Sequence, residues 1–448
     1  MPRPRLSGPL SLVALPPPAF LALLYLALIC VGALLLMMPA FQVAPVAPWD
    51  AFFTAVSAVT VTGLVTVDPV SHFNTGGQMI LAALIQLGGL GLMTFAVLVL
   101  SVLGLQIGIP QKIFLREDLN QTSLADLMAL VWIILRVVLI AELFGAALLA
   151  PAFIEEQESV WRGAWFALFH SISAFNNAGF ALYPDGLMRF VAAPSINIVI
   201  PALFISGGLG YAVVSDLWRV RGWNGLHVHS KMMLAGTAML LIGPMLLFMM
   251  LEWHNPGSLG ALYGTGEKIL ASWFQVASPR TAGFNTLDYG AVHDPTALMI
   301  MTLMLIGGGP TSTAGGIKVT TFIVLLVATF SFFRRHQALN VFRRSLAIEE
   351  LFKVLALVTT TLLLVMGSLF MISVHHDGDF LDLAFEVCSA IGTVGLTRGA
   401  TGELTVFGQS IIMVLMFLGR VGPLTLGFFL AARSAPRLRY ASVKVPLG

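Results

Sequence analysis

Apolar and polar positions alternate in long blocks along this chain, and eight apolar blocks stand out. They cover residues 20–38, 78–102, 127–150, 196–218, 232–251, 296–333, 354–374 and 407–432. A hydrocarbon core of about 30 Å is crossed by roughly 20 apolar residues of helix, so each block predicts a membrane span. Between the spans lie four apolar stretches too short to cross. Non-helical backbone survives at membrane depth only when it lines a cavity or is buried in protein, so these stretches predict re-entrant segments.

The short stretches are copies of one another. Aligned on a single glycine they read Thr60-Val61-Thr62-Gly63-Leu64, Asn176-Asn177-Ala178-Gly179-Phe180, Arg280-Thr281-Ala282-Gly283-Phe284 and Gly392-Thr393-Val394-Gly395-Leu396. An aromatic residue precedes each glycine at a fixed offset (Phe53, Phe169, Trp273, Phe385), and a small residue stands nearer (Ser57, Ser173, Ala277, Ser389). An internal repeat of this kind decides the architecture. The chain is expected to be an all-α membrane protein of four helix–pore loop–helix repeats, set pseudo-fourfold around one central pore. The repeats run over residues 1–105, 106–225, 226–345 and 346–448.

Composition agrees: 57% of the 448 residues are hydrophobic and 10% charged, against about 25% charged in soluble domains. The net charge of +2 and the lack of a basic, aromatic-interleaved stripe give no support for nucleic-acid binding. Cys30 and Cys388 lie far apart in apolar segments and read as small core residues. Lys and Arg gather at one set of span ends, from Arg3 and Arg5 through Lys112, Arg116, Arg219, Lys231, Arg334 and Arg335 to Arg437 and Lys444. The positive-inside rule then places both termini in the cytoplasm of a multi-pass protein, with the first span retained. Acids such as Asp50, Asp68, Glu155, Asp185, Asp288 and Asp382 gather on the other side, where they would concentrate cations or simply sit solvated in loops.

A glycine at the centre of each loop predicts a backbone with φ > 0 and carbonyls turned toward an axis, where they replace water around a dehydrated ion. The flanking side chains Thr62, Ala178, Ala282 and Val394 carry no charge. That points to selection by carbonyls, and to K⁺ over Ca²⁺. The predicted filter comprises Thr60, Val61, Thr62, Gly63, Asn176, Asn177, Ala178, Gly179, Thr281, Ala282, Gly283, Gly392, Thr393, Val394 and Gly395.

The span after each loop carries a glycine knot: Gly88-Gly89-Leu90-Gly91, Gly207-Gly208-Leu209-Gly210, Gly307-Gly308-Gly309-Pro310 and Gly419-Arg420-Val421-Gly422. Close helix packing accounts for part of each knot but not for Arg420, an intramembrane cation costing about 2.5 kcal/mol or more. In register it faces Gly89, Gly208 and Gly308, so it predicts a positive barrier below the filter. The third such span is interrupted by Gly307, Gly308, Gly309, Pro310, Thr311, Ser312, Thr313, Ala314, Gly315, Gly316, Ile317 and Lys318. Gly and Pro break a helix, which predicts a mobile intramembrane loop serving as a gate. Its Gly-Ile-Lys ending lacks P-loop spacing and a preceding strand.

These motifs resemble the Ktr/Trk/HKT superfamily of K⁺ transporters, and within it the Ktr membrane subunit, over essentially the whole chain. The resemblance rests on the four single-glycine loops, the Ser312–Lys318 stretch and Arg420. It implies K⁺ uptake across the plasma membrane through filters with glycine in all four repeats, often stimulated by Na⁺. It also implies a homodimer with one pore per subunit, and a cytoplasmic ring of nucleotide-binding regulatory subunits of KtrA type that opens the loop gate.

Plainer expectations stand beside these. His170 reads as a packed histidine, Asn176 and Asn177 as structural replacements for threonine, and Arg280 as a tie to loop backbone or to an acid. Glu142 and Arg136 are not ideally spaced to pair with each other. An alternating-access carrier is the main rival, with inverted repeats and discontinuous helices around a midplane site. Enzyme chemistry has no support, since neither a zinc motif nor a nucleophile elbow occurs. No arginine-periodic span exists to sense voltage.

Overall fold

The computed structural model describes residues 17–90, 127–220, 222–310, 312–335, 339–342 and 344–422. Thr311, Gly91, much of the positive charge used for orientation (residues 3, 5, 112, 116, 221, 343, 433, 437, 439 and 444) and the C-terminal tail lie outside them.

The first repeat folds as α1 (Pro17–Leu36), a short helix α2 (Pro48–Val59) and α3 (Thr75–Gly89). The second has α4 (Leu127–Gln157), the short α5 (Val160–Phe175), then α6 (Pro194–Leu209) and α7 (Tyr211–Arg219). The third has α8 (Val228–Glu252), the short α9 (Thr265–Ala277), then α10 (Asp294–Leu305) and α11 (Val319–Phe333), with a hairpin of β1 (Leu339–Val341) and β2 (Arg344–Leu346) following. The fourth has α12 (Ile348–His375), the short α13 (Phe380–Gly392) and α14 (Val406–Val421). Local chemistry starts several of these helices. Proline opens α2, where its missing N–H costs nothing. Asp379 accepts from the amides of Leu381 and Asp382 at the start of α13, and Asn74 from Gly77 at the start of α3, as helix N-caps do.

All eight apolar blocks contain helix, but among the described residues only three helices are long and apolar enough to cross unaided: 132–157, 228–252 and 348–375. These are the first spans of repeats two, three and four. Among the described residues the second span of the second repeat is interrupted as well as that of the third, which corrects the expectation that only the third would be. The block 196–218 bends by 95° between α6 and α7, at Gly210 with φ +91°. α14 likewise ends against Gly422 with φ +94°. Both glycines occupy the fourth position of their knots, where Pro310 stands in the third repeat. A left-handed residue cannot continue a right-handed helix, so that position terminates the helix.

α2, α5 and α13 each pack against both spans of their own repeat and α9 against α8, and every short helix meets the second span of the preceding repeat. α5 touches α3, α9 touches α6, α13 touches α10, and α2 touches α14, which closes the circuit. Two equivalent side-chain bonds cross these seams: Trp165 Nε1 donates to Gln78 at 2.8 Å and Trp49 Nε1 to Gln409 at 2.5 Å. The knots make the approach close. A Cβ on Gly88, Gly207 or Gly419 would collide with the carbonyl of Val59, Phe175 or Ile391 respectively, each four residues before a loop glycine. The outward faces of the long helices expose Leu139, Ile140, Phe144, Leu363 and Phe370, as lipid contact requires.

Gly207→Ala should therefore force α6 off the end of α5. We expect a loss of about 1–3 kcal/mol, seen as a lower unfolding midpoint of the detergent-solubilised protein; an unchanged midpoint would show that the seam can yield.

Candidate functional site

The four short helices end at four loops of one construction. Two residues before each glycine the backbone turns left-handed: Val61 (φ +55°), Asn177 (+58°), Thr281 (+72°) and Thr393 (+50°). The glycines follow with φ of +95°, +70°, +77° and +92°. A β-branched residue at positive φ is a genuine outlier that the surroundings must enforce, and three of the four are Val or Thr. The residue before each glycine donates its amide to the carbonyl of a serine in the short helix or, in the third repeat, at its C-cap: Thr62 to Ser57, Ala178 to Ser173, Ala282 to Ser278 and Val394 to Ser389, all at 2.8–2.9 Å.

That pattern corrects one register. In the third repeat the serine is Ser278 rather than Ala277, and the fully buried aromatic is Phe274 rather than the partly buried Trp273. Both lie one residue nearer the glycine, so the third loop is one residue shorter while the four-residue spacing of aromatic to serine is kept. The serine hydroxyls accept from the glycine amide in the first and fourth loops, at 3.0 and 3.1 Å, and Ser278 instead donates to the Phe284 carbonyl.

The loops meet main chain to main chain. A Cβ on Gly63 would strike the Ala178 carbonyl oxygen, one on Gly179 the Cα of Gly283 and the Ala282 oxygen, one on Gly283 the Val394 oxygen, and one on Gly395 the Thr62 oxygen. Each glycine thus abuts the residue that precedes the next glycine, and the succession returns to its start. The side chains of Thr60, Thr62, Ala178, Thr281, Ala282, Thr393 and Val394 are buried, leaving main chain at the centre. Thr60 and Asn176 are helix C-caps, and Gly392 is the last residue of α13. These predicted filter positions therefore close the short helices, and the irregular backbone starts one residue later. Each helix C-terminus carries a partial negative charge of about half a unit, so four helices aim a cation-favouring field at the ring.

Asparagines in the second loop do more than replace threonine. Asn177 Nδ2 donates to Thr281 Oγ1 at 3.1 Å, and its Oδ1 accepts from Thr313 Oγ1 at 2.9 Å, so one side chain ties the second loop to the third and to the interrupted span. Asn176 Nδ2 donates to Glu142, Gln86 and the Ile172 carbonyl. His170 is packed as expected: it stacks on Phe153 with ring centroids 4.7 Å apart, and its Nε2 accepts from the Leu182 amide. Arg280 is buried with one long contact, 3.4 Å to Thr237. Among the described residues its side chain makes neither of the expected ties, to loop backbone or to an acid.

The interruption between α10 and α11 is folded back beneath the loops. The Gly307 amide donates to Ile317 and Gly309 to Gly208, both at 2.8 Å; Thr313 donates to Gly207 at 3.3 Å. Gly307, Gly308, Gly309, Ser312, Thr313, Ala314 and Gly315 are buried, while Pro310, Gly316 and Lys318 are partly covered. Lys318 Nζ donates to the Ala314 carbonyl at 2.6 Å. Arg420, from α14, donates to the carbonyls of Thr313 and Gly88. It thereby bridges the third repeat's loop and the first repeat's knot, with glycines at the register-matched positions of the other knots.

Four seamed quarters, a glycine ring at the centre and a cationic clasp below define a multi-pass membrane protein of the cation-transporting class. The TrkH family of cation transport proteins matches residues 25–436, and the chain belongs to that family; it is a transporter and not an enzyme. It is 43% identical over 433 residues to the Ktr system potassium uptake protein B of Bacillus subtilis, covering 96% of this chain and 97% of that one. The Vibrio alginolyticus protein of the same name is 41% identical, over 96% and 95%. The potassium/sodium uptake protein NtpJ of Enterococcus hirae is 36% identical over 89% of both. The crystal structure of the potassium transporter TrkH from Vibrio parahaemolyticus superposes with a TM-score of 0.73 at 18% identity, covering 92% of this chain and 84% of that one; at that identity the likeness is one of fold.

Asn177→Leu removes the bond between the second loop, the third loop and the segment beneath. Leaving buried hydroxyls unpaired costs about 1–3 kcal/mol, so amide exchange at Gly309 and Thr313 should accelerate about tenfold or more. Unaltered exchange would mean the segment is held by its main-chain bonds alone.

Proposed function

We propose that this chain is the ion-translocating subunit of a Ktr-type system for K⁺ uptake across the plasma membrane. Its four repeats, divided as in the sequence, are set pseudo-fourfold around one pore, with both termini in the cytoplasm. The observation that carries this reading is the closed succession of glycines, each abutting the next loop's carbonyl residue, with no acid at the centre. Carbonyls of residues 61–63, 177–179, 281–283 and 393–395 coordinate dehydrated K⁺, and the helix C-termini lower the energy of the bare ion.

The folded-back segment from Gly307 to Lys318, with Arg420 across it, is the gate. Arg420 adds a positive charge to the ion's path and pins the segment through the Thr313 carbonyl. Conduction requires that clasp to open. The word system in the names of the two Ktr relatives supports partner proteins, and the further parts of the proposal are a homodimer and a cytoplasmic nucleotide-binding ring whose conformation moves the segment. The name of the Enterococcus relative, a potassium/sodium uptake protein, supports a part for Na⁺.

The deciding experiment is ⁸⁶Rb⁺ uptake into liposomes holding the purified chain, with K⁺, Na⁺ and a ring subunit varied. Saturable uptake blocked by external K⁺ is expected; uptake indifferent to K⁺ would refute the reading. Gly283→Ser places a side chain against the Val394 oxygen and should cut discrimination of K⁺ over Na⁺ by tenfold or more, about 1.4 kcal/mol. Arg420→Gln should raise uptake in the absence of the ring subunit several-fold, about 1 kcal/mol off the barrier; uptake at or below the wild-type rate would place the barrier elsewhere.

A further inference from the structure

A crevice of about 490 Å³ lies between α3, α4 and α5, behind the second glycine loop. Its walls include Met79, Leu135, Leu139 and Trp165, with Gln86 and Glu142 as its hydrogen-bonding floor. Met79 and Leu139 are 53% and 57% exposed on the apolar outer surface, so the mouth opens sideways into lipid. Glu142 is only 5% exposed and sits at the midpoint of the 31-residue α4.

One carboxyl oxygen of Glu142, Oε1, accepts from Asn176 at 2.9 Å. Gln86 also hydrogen-bonds this carboxyl, and among the described residues no ion pair includes Glu142. An intramembrane carboxyl without a counter-ion is costly, and such residues face a cavity or a partner. A hollow with apolar walls and one acid is the complement of a hydrophobic body bearing one basic nitrogen.

We propose that this crevice is a bilayer-accessible binding site for lipophilic tertiary amines, with Glu142 as the group that meets the nitrogen. An amine crosses hydrocarbon as its free base and then shares the carboxyl proton, so no bare charge transits the lipid. Asn176 caps the helix that leads into the second loop, and it spends its amide hydrogens on Glu142, Gln86 and Ile172. An amine that draws Glu142 toward the crevice loosens this anchor and slows ion passage. That consequence rests on the filter reading above, whereas the binding site itself does not.

The test uses the full chain in proteoliposomes, with a photoreactive alkyl tertiary amine and its uncharged carbon isostere. Illumination should label the segments 79–86 and 135–143, with at least tenfold less label from the isostere and at least tenfold less in Glu142→Gln. Ala83 lines the crevice at its exposed rim. Ala83→Phe should abolish labelling while ⁸⁶Rb⁺ uptake persists, which keeps the test decisive if Glu142→Gln folds poorly. Equal labelling by amine and isostere would reduce the crevice to a lodging for acyl chains and overturn the proposal, as would full labelling of Ala83→Phe. Uptake undiminished at saturating label would overturn the link through Asn176 without touching the filter reading; wild-type liposomes that show no K⁺-sensitive uptake would refute the filter reading and leave the site standing.

Discussion

Backbone meeting backbone with no side chain between is the constraint on which this molecule depends. At Gly63, Gly179, Gly283 and Gly395 the space a Cβ would need is filled by the neighbouring loop's main chain. One layer below, Gly88, Gly207 and Gly419 approach helix-end carbonyls as closely. Lipid offers helices no hydrophobic incentive to associate, so cohesion comes from such close packing and from the few polar bonds crossing the seams. The strained residues Val61, Thr281 and Thr393 are held at positive φ because the serine carbonyls of the short helices and the neighbouring loops leave them no other course.

Much of this was legible from residue order. Four loops recurring in register gave the repeat, and the glycines gave the left-handed turns. What escaped notice did so for identifiable reasons. The left-handed residue two before each glycine has no shared residue-type signature, because Asn177 adopts such a backbone readily whereas Val61, Thr281 and Thr393 do not. The shorter third loop was concealed because Trp273 and Ala277 satisfy the pattern as well as Phe274 and Ser278 do; only the serine's hydrogen bond separates them. Hydropathy read 196–218 as unbroken, since Gly210 costs an apolar window little while it ends a helix outright. The Trp–Gln bonds of Trp49 and Trp165 had a signal that could have been used, as both tryptophans stand fourteen residues before their loop glycine.

The two asparagines divide the work of the second loop. Asn177 faces inward and downward, joining two loops to the interrupted span. Asn176 faces outward, toward the carboxyl of Glu142 and the lipid-facing crevice. The second quarter is thereby connected both to the segment beneath the ring and to the surrounding bilayer, through neighbouring residues whose backbones are fixed by the same helix end.

Arg420 shows what is gained by writing four quarters into one polypeptide. An assembly of identical subunits would repeat any intramembrane arginine at every quarter, crowding mutually repelling guanidinium groups at one level. A single chain can give that level one arginine and three glycines, so the lone cation spans the space its counterparts vacate and bonds two different quarters. Broken symmetry of this sort lets the bundle repeat the glycine loops above while one arginine below binds two different quarters.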